Sequence, residues 1–485
     1  MISAGNQPLR LRKPLRFVHA SDLHLDRTVE GVGECPAFWE QRFLDVSRRA
    51  AAALFQKALE EQVEFLILSG NVFNASLASP GTVLFLWEQF ERLKKAGIAV
   101  YWAGGEFDSP EDLPAAFPLP DNVHPFPSST IQEYYFNRLE DGETVPVAKI
   151  AGISRNQQNR RVRTSDFPLD PGGLFTIAAA NGDIVPETLT QKRIDYWAMG
   201  GLDQRQVFHG NPRKKGLDGK PVPLDLPNTA AQKRNPQNLP PLPYTVHYPG
   251  STVARSPKDI GLYGATLIEV PFGEEPVLTY FATSPVRWVN DQITMKADDD
   301  GGQLADIVRE RIRNYRETQK DGDLLISWYV DVPPGALANQ LRRGTLAHDI
   351  VTELRSLYGK EEPLTWAVSL SLLLPEYLPK TFYEQQTILG DFVRSVKHFQ
   401  DNPQDVLDLE GYIPKQWGTS DGAATLLLSA KETADENNEH KVQYHRTEQQ
   451  KETQRQVLQE AAVVGVELLG TDVVKTFALD PYEEK

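Results

Sequence analysis

The chain has 485 residues, a formal net charge of −15, 40% hydrophobic and 24% charged residues, and one cysteine, Cys35. The length is too great for one ordinary core and calls for two or three domains, and a lone cysteine excludes an internal disulfide framework and a CxxC zinc site. The acidic balance excludes a surface that is basic throughout, so contact with a nucleic acid has to rest on local patches or on charge supplied by a partner.

The N-terminal run MISAGNQPLRLRKPLRF is basic but is not followed by an apolar stretch of signal-peptide length. No segment reaches the roughly 18 apolar residues that a spanning helix needs. A cytoplasmic protein without a membrane role is the expectation, and the single thiol fits a reducing compartment.

Up to roughly residue 280, short β-rich runs alternate with helical patterns, which predicts a layered α/β domain. Arg16–Ala20 reads as a strand ending in SDLHLD. Trp39–Gln62 reads as one helix, with Phe43, Val46, Ala50, Leu54 and Ala58 on a single face. Phe65–Leu68 is the next strand, followed by a helix over Thr82–Ala96 that Gly97 closes, and by a strand over Ile98–Ala103. Further β runs are Ala148–Ile153, Leu174–Ala180, Tyr196–Met199, Ala265–Val270 and Val277–Ala282. Between them, Asn211–Pro243 is rich in Pro, Asn, Gln and basic residues and reads as a flexible insertion.

A small α+β unit begins near Val286, with a helix over Gln303–Thr318, a strand over Asp323–Val332, helices within Ala336–Leu357 and a strand over Leu364–Leu374. Beyond Thr381 the pattern is mainly helical, with a polar stretch at Lys431–Lys441 and a final amphipathic helix over Thr447–Leu469. The expected divisions are thus 15–285, 286–381 and 382–485.

The chemically suggestive clusters all follow the C-terminal ends of β runs, where layered sheets place their ligands. Asp22 and His24, two residues apart in what reads as an extended segment, point to one side and can share a divalent metal. Alone, such a pair is equally a surface loop.

The context is an ordered series: SDLHLD, LILSGNVFN, VYWAGGEFDSP, TIAAANGD, DYWAMGGLDQRQV and HYPGSTVARSPKDIGLYGATLIEV. Over residues 15–285 this series resembles the SbcD/YhaO-like DNA-repair exonuclease family of calcineurin-like metallophosphoesterases. The resemblance implies a four-layer α-β-β-α sandwich, then a small α+β cap and a helical C-terminal tail. It also implies two manganese ions about 3.5–4 Å apart that activate a water against a phosphodiester.

Of the seven ligands that the resemblance implies, two are retained and five replaced. Asp22 and His24 stand unchanged, whereas the bridging aspartate has become Asn71. The asparagine of the G-N-H-D motif is Glu106, the next histidine position is Asn181, and the G-H-x-H pair is Gly201 and Asp203. The phosphate-contacting histidine of G-N-H-D is Phe107, which offers neither proton nor hydrogen bond, while Asp108 is kept. Asp22, His24, Asn71 and Asp203 make a poor oxygen-rich set for a single weakly held manganese or magnesium. Glu106 and Asn181 are the remnants of a second site. The competing reading is a set of vestigial polar residues with no metal.

Arg155, Arg160, Arg161 and Arg163 form a basic cluster that suits phosphate contact or, equally, a solvated loop; a second cluster surrounds the insertion. His19, His124, His209, His247, His348, His398, His440 and His445 show no ligand spacing and read as structural or surface residues. Leu458, Leu468 and Leu469 on the final helix either cover the chain's own core or, as the resemblance implies, anchor a coiled-coil ATPase of the SbcC/YhaN type.

The leading expectation is a nuclease-inactive or impaired subunit that binds DNA ends or serves as a scaffold with such an ATPase, with homodimerisation open. An active phosphodiesterase with an altered or single-metal site, and a regulatory protein with no nucleic-acid role, are the alternatives.

Overall fold

A computed structural model describes residues 13–109, 119–155, 162, 164–167, 174–184, 194–210, 244–271, 275–296, 298–318, 322–333, 336–360, 362–373, 378, 380–402, 431–434, 440–443, 455, 457–459, 461–463 and 465–466. The expected insertion Asn211–Pro243 lies outside the described residues. The chain divides into two compact units: Met1–Val289 with Arg316–Ile326 and Lys360–Val368, and Asn290–Tyr315 with Ser327–Gly359 and Ser369–Lys485.

In the first unit, β1 (Leu15–Ala20) is buried almost throughout because its two faces serve two cores. Leu15 and Phe17 belong to one apolar cluster, Val18 and Ala20 to another, as the period of two along a strand dictates. The same division holds for β2 (Phe65–Ser69) and β3 (Ala99–Ala103). With β4 (Val123–Phe126) these strands run parallel, and β11 (Gly264–Val270) and β12 (Val277–Ala282) complete a sheet of order β12-β11-β1-β2-β3-β4.

A second six-stranded sheet has the order β5-β6-β7-β8-β10-β9, from β5 (Gln132–Glu140), β6 (Glu143–Ile153), β7 (Phe175–Asn181), β8 (Tyr196–Gly200), β9 (Gln206–Gly210) and β10 (Tyr244–Tyr248). Here β6, β7, β8 and β10 are parallel. The sequence reading passed over β5, although the hairpin signal is present: Asp141 and Gly142 both take positive φ, 51° and 85°, as a two-residue turn of the primed type requires.

The two sheets face each other across a core of Phe17, Phe65, Ile67, Ile150, Ile177, Tyr196 and Ile268. Phe17 and Phe65 stack with centroids 4.8 Å apart. The outer face of the first sheet is covered by α2 (Val46–Glu60) and α3 (Pro80–Lys95), through Leu54, Phe55, Leu86, Phe90 and Leu93. Ser79 caps α3 by accepting from the Thr82 N–H at 3.2 Å. The crossovers into β7 and β8, where the fourth, helical layer is expected, run largely through residues outside the described set.

The single helix expected over Trp39–Gln62 is two: α1 (Ala37–Leu44) ends at Asp45, where α2 begins. The apolar stripe continues across the break, since Trp39, Phe43, Val46 and Ala50 all enter one cluster with Trp288 and Trp366, so periodicity alone did not reveal it.

A third sheet, of order β13-β14-β15, is built from β13 (Val286–Thr294), β14 (Asp323–Asp331) and β15 (Thr365–Leu372). The second unit holds α4 (Gly301–Thr318), α5 (Ala336–Arg343) and α6 (Leu346–Tyr358), then α7 (Lys380–Tyr383) and α8 (Ile388–Asp401). The polar stretch at Lys431–Lys441 contains paired strands. β16 (Lys431–Ala434) and β17 (His440–Gln443) pair antiparallel there, a backbone ladder that polar composition conceals. Among the described residues no helix is long and apolar enough to cross a membrane.

Leu458 is 7% exposed and lies with Ala462, Val463 and Val466 in one cluster with Leu389, Val393 and Val396 of α8. The chain's own core thus takes up the side chain that the sequence offered as a partner anchor. Leu468 and Leu469 lie outside the described residues.

Candidate functional site

The C-terminal ends of β1, β2, β3, β7 and β8 bring Asp22, His24, Asn71, Asp108 and Asn181 together. The segment carrying Asp22 and His24 is not extended as expected. Asp22, His24 and Asn71 take left-handed φ values of 54°, 45° and 53°. Such backbone is costly for residues other than glycine and is held here from several sides. Asp22 N–H donates to Gly70 O at 3.0 Å, His24 N–H to Asn71 O at 2.9 Å and Leu25 N–H to Val72 O at 2.9 Å.

Asp108 is the strut of this arrangement. It is fully buried, and its oxygens accept from the N–H groups of Asn71 (3.0 Å), Gly105 (2.6 Å) and Val72 (2.8 Å) and from the Trp102 indole (3.2 Å). Burial raises its pKa to about 6, against the pull of those four donors.

Asp22 is similarly engaged. Oδ1 accepts from Asn71 Nδ2 at 2.7 Å and Oδ2 from Gly201 N–H at 2.9 Å. Burial, with a smaller push from the Asp203 charge, raises its pKa to about 7. His24 Nε2 stands 3.8 Å from Asp22 Oδ1, but burial and the charges of Arg255 and Arg27 lower the imidazole to about 3. Between pH 3 and 7 both groups are therefore mainly neutral, and the pair is not an ion pair.

The remaining predicted residues fall away from this centre or are spent. Asn181 donates from Nδ2 to Ser69 O at 2.8 Å and leaves Oδ1 buried without a partner. Asp203 is exposed and meets the cluster through its carbonyl, which accepts from Ser251 N–H at 2.9 Å. Glu106 turns outward, 44% exposed, and pairs with Arg155 at 3.1 Å. That pairing neutralises the arginine proposed for phosphate contact, while Arg160, Arg161 and Arg163 lie outside the described residues. Phe107 is exposed.

The donor set does not fit the two manganese ions that the resemblance implies. Every carboxylate oxygen of Asp22 and Asp108 already accepts from an N–H donor. Among the described residues no three His, Cys, Asp or Glu side chains gather as a cation site. The spare oxygen of Asn181 is a neutral carboxamide, a poor offset for a dication.

Two features escaped the sequence reading. Arg255, nearly fully buried, donates from Nη2 to Leu23 O at 2.5 Å and from Nη1 to Ser251 Oγ at 2.5 Å, while Ser251 Oγ reaches Asp22 O at 3.0 Å. Together they clamp the 22–24 turn, and burial lowers the guanidinium to about 10. Both residues lie inside the HYPGSTVARSPKD segment, whose order was legible although its contacts were not.

The other feature is a buried polar chain beneath the site. Ser69 Oγ donates to Ala198 O at 3.1 Å, so His19 Nε2 donates to Ser69 at 2.7 Å. Burial keeps His19 neutral, so its Nδ1 accepts from Tyr196 at 2.9 Å. Tyr196 then accepts from His247 Nδ1 at 2.6 Å, and His247 Nε2 accepts from Thr266 at 3.3 Å. One direction of donation satisfies the chain and links the two sheets.

The His24 shift has a measurable consequence. A histidine whose folded pKa is depressed contributes stability that is complete above its unfolded value of about 6.5 and is lost as pH falls through the window down to about 3. The stability of wild type relative to His24→Leu should therefore be lower at pH 5 than at pH 7, by about 2 kcal/mol at about 1.4 kcal/mol per pH unit. Urea unfolding of both proteins at the two pH values measures it; an unchanged difference would place His24 in water.

Comparison with known proteins agrees with the architecture. Residues 15–204 match the family model of the calcineurin-like phosphoesterases. A Bacillus subtilis (strain 168) protein described as the uncharacterized metallophosphoesterase YhaO is 29% identical over 376 residues, which is 73% of this chain and 81% of that protein. With two facing sheets and a cluster at their parallel strand ends, residues 15–204 are similar in sequence to the calcineurin-like phosphoesterases and have a mixed α/β architecture consistent with that fold.

Proposed function

We propose that this domain no longer performs two-metal phosphodiester hydrolysis, holds no resident metal, and acts as a DNA-end-binding or scaffold subunit beside a coiled-coil ATPase. The observation that carries the loss of chemistry is the engagement of all four oxygens of Asp22 and Asp108 by N–H donors. Phe107 adds to it, since no proton can be delivered to a leaving group from that position. The ATPase partnership and the DNA role rest on the ordered motifs and their resemblance to the SbcD/YhaO-like exonucleases. Because Leu458 is taken up by the cluster around α8, partner binding is assigned to the region 382–485 as a whole and not to that side chain.

The test is a manganese-dependent nuclease and phosphodiesterase assay on the full chain, with and without the ATPase. Loss of one well-placed acid or base costs ~10²–10⁴ in rate, and here the acid and most ligands are replaced together, so turnover at background is expected. Robust turnover that Asp22→Ala abolishes would overturn the proposal.

A further inference from the structure

We infer that the Asn71 carboxamide replaces a cation at this centre, holding by hydrogen bonds the two strained turns that a metal would otherwise tie together. The inference rests on the reading above that no metal resides here, and deepens it: the site is completed internally.

Both ends of the amide are used. Nδ2 donates to Asp22 Oδ1 at 2.7 Å, and Oδ1 accepts from Glu106 N–H at 3.1 Å. The reverse orientation would set oxygen against the Asp22 carboxyl and NH₂ against an N–H donor, so the partners fix which way the group points. Asn71 thus joins three chain segments, after β1, β2 and β3. Those segments are already tied by the Asp22 and His24 N–H bonds to Gly70 O and Asn71 O, and by the clamp of Arg255 and Ser251. This ladder holds left-handed backbone at Asp22, His24 and Asn71.

The arrangement is one substitution from a cation site. Asp22 and His24 stand 3.8 Å apart, and Asn71 is the third side chain at that place. A carboxylate at 71 keeps the acceptor for Glu106 N–H and loses only the donor to Asp22. Two carboxylates at that spacing repel unless a proton or a cation lies between them, and with the imidazole they make an O,O,N set that suits manganese(II).

The experiment is thermal unfolding of the full chain, wild type, Asn71→Asp and Asn71→Ala, each in EDTA and in excess manganese(II), with manganese EPR on the wild type. Wild type should show the same midpoint in both media, within about 1 °C, and leave the free-manganese signal undiminished. Asn71→Asp should melt several degrees lower in EDTA and rise by roughly 5 °C or more in manganese, whereas Asn71→Ala should fall in both media without recovery. Recovery of Asn71→Asp only when purified with manganese is the same result in stronger form. The inference is overturned if Asn71→Asp equals wild type in EDTA, fails to respond to manganese, or cannot be recovered with or without it. Stoichiometric manganese binding by wild type overturns it also. Hydrolysis by a wild type whose midpoint ignores manganese would sink the proposed loss of hydrolysis and leave this inference standing; an inactive wild type stabilised by manganese would sink this inference and the claim of no resident metal, and leave the loss of hydrolysis standing.

Discussion

Asp108→Ala is expected to lower the unfolding midpoint of the first compact unit by about 10 °C. Four buried N–H donors, from Asn71, Val72, Gly105 and Trp102, would lose their acceptor. An unsatisfied buried donor costs about 1–3 kcal/mol, so even the low end gives ~4 kcal/mol. For a domain of this size each kcal/mol moves the midpoint by about 2–4 °C. Asp108→Asn keeps the shape but turns an NH₂ toward two of the donors, and should lose a similar or slightly smaller amount. Differential scanning calorimetry of the three proteins in EDTA is the measurement. If Asp108→Ala melts within 2 °C of wild type, the residue is not the strut described.

Gly200→Ala is expected to be damaging on a similar scale, by a different route. An added Cβ would lie 1.8 Å from Ser69 O and 2.9 Å from Ser21 Cβ. Ser69 O is backbone at the end of β2 and also accepts from Asn181, so it cannot swing aside. The substitution would force apart the two sheets where they meet under the site. Overpacking typically costs about 1–3 kcal/mol, and a clash with backbone belongs at or above the top of that range. Gly33→Ala is the control: its new carbon meets nothing within 4 Å, and the positive φ of 69° alone should cost about 1–2 kcal/mol. Both variants are compared by soluble yield and urea midpoint; equal losses would remove the argument from contact.

The sequence by itself determined much of the frame. Short, continuous apolar runs placed β1, β2, β7, β8 and β11, and the suggestive residues do follow strand ends. The side chains at Asn71, Phe107, Asn181 and Gly201 are plain in the order of motifs, because residue type is a local property. What each side chain does is not local. Asn71 meets Asp22 across 49 residues, Gly201 meets it across 179, and Arg255 reaches Leu23 across 232. Hence Asp108 read only as a retained motif residue and is a four-fold acceptor. His19 and His247 read as unremarkable and are links in a buried chain. Leu458 read as either core or partner anchor and is core. Tertiary structure decided these roles because a buried polar group takes its function from the donors and acceptors that the fold brings to it, and those come from distant strands.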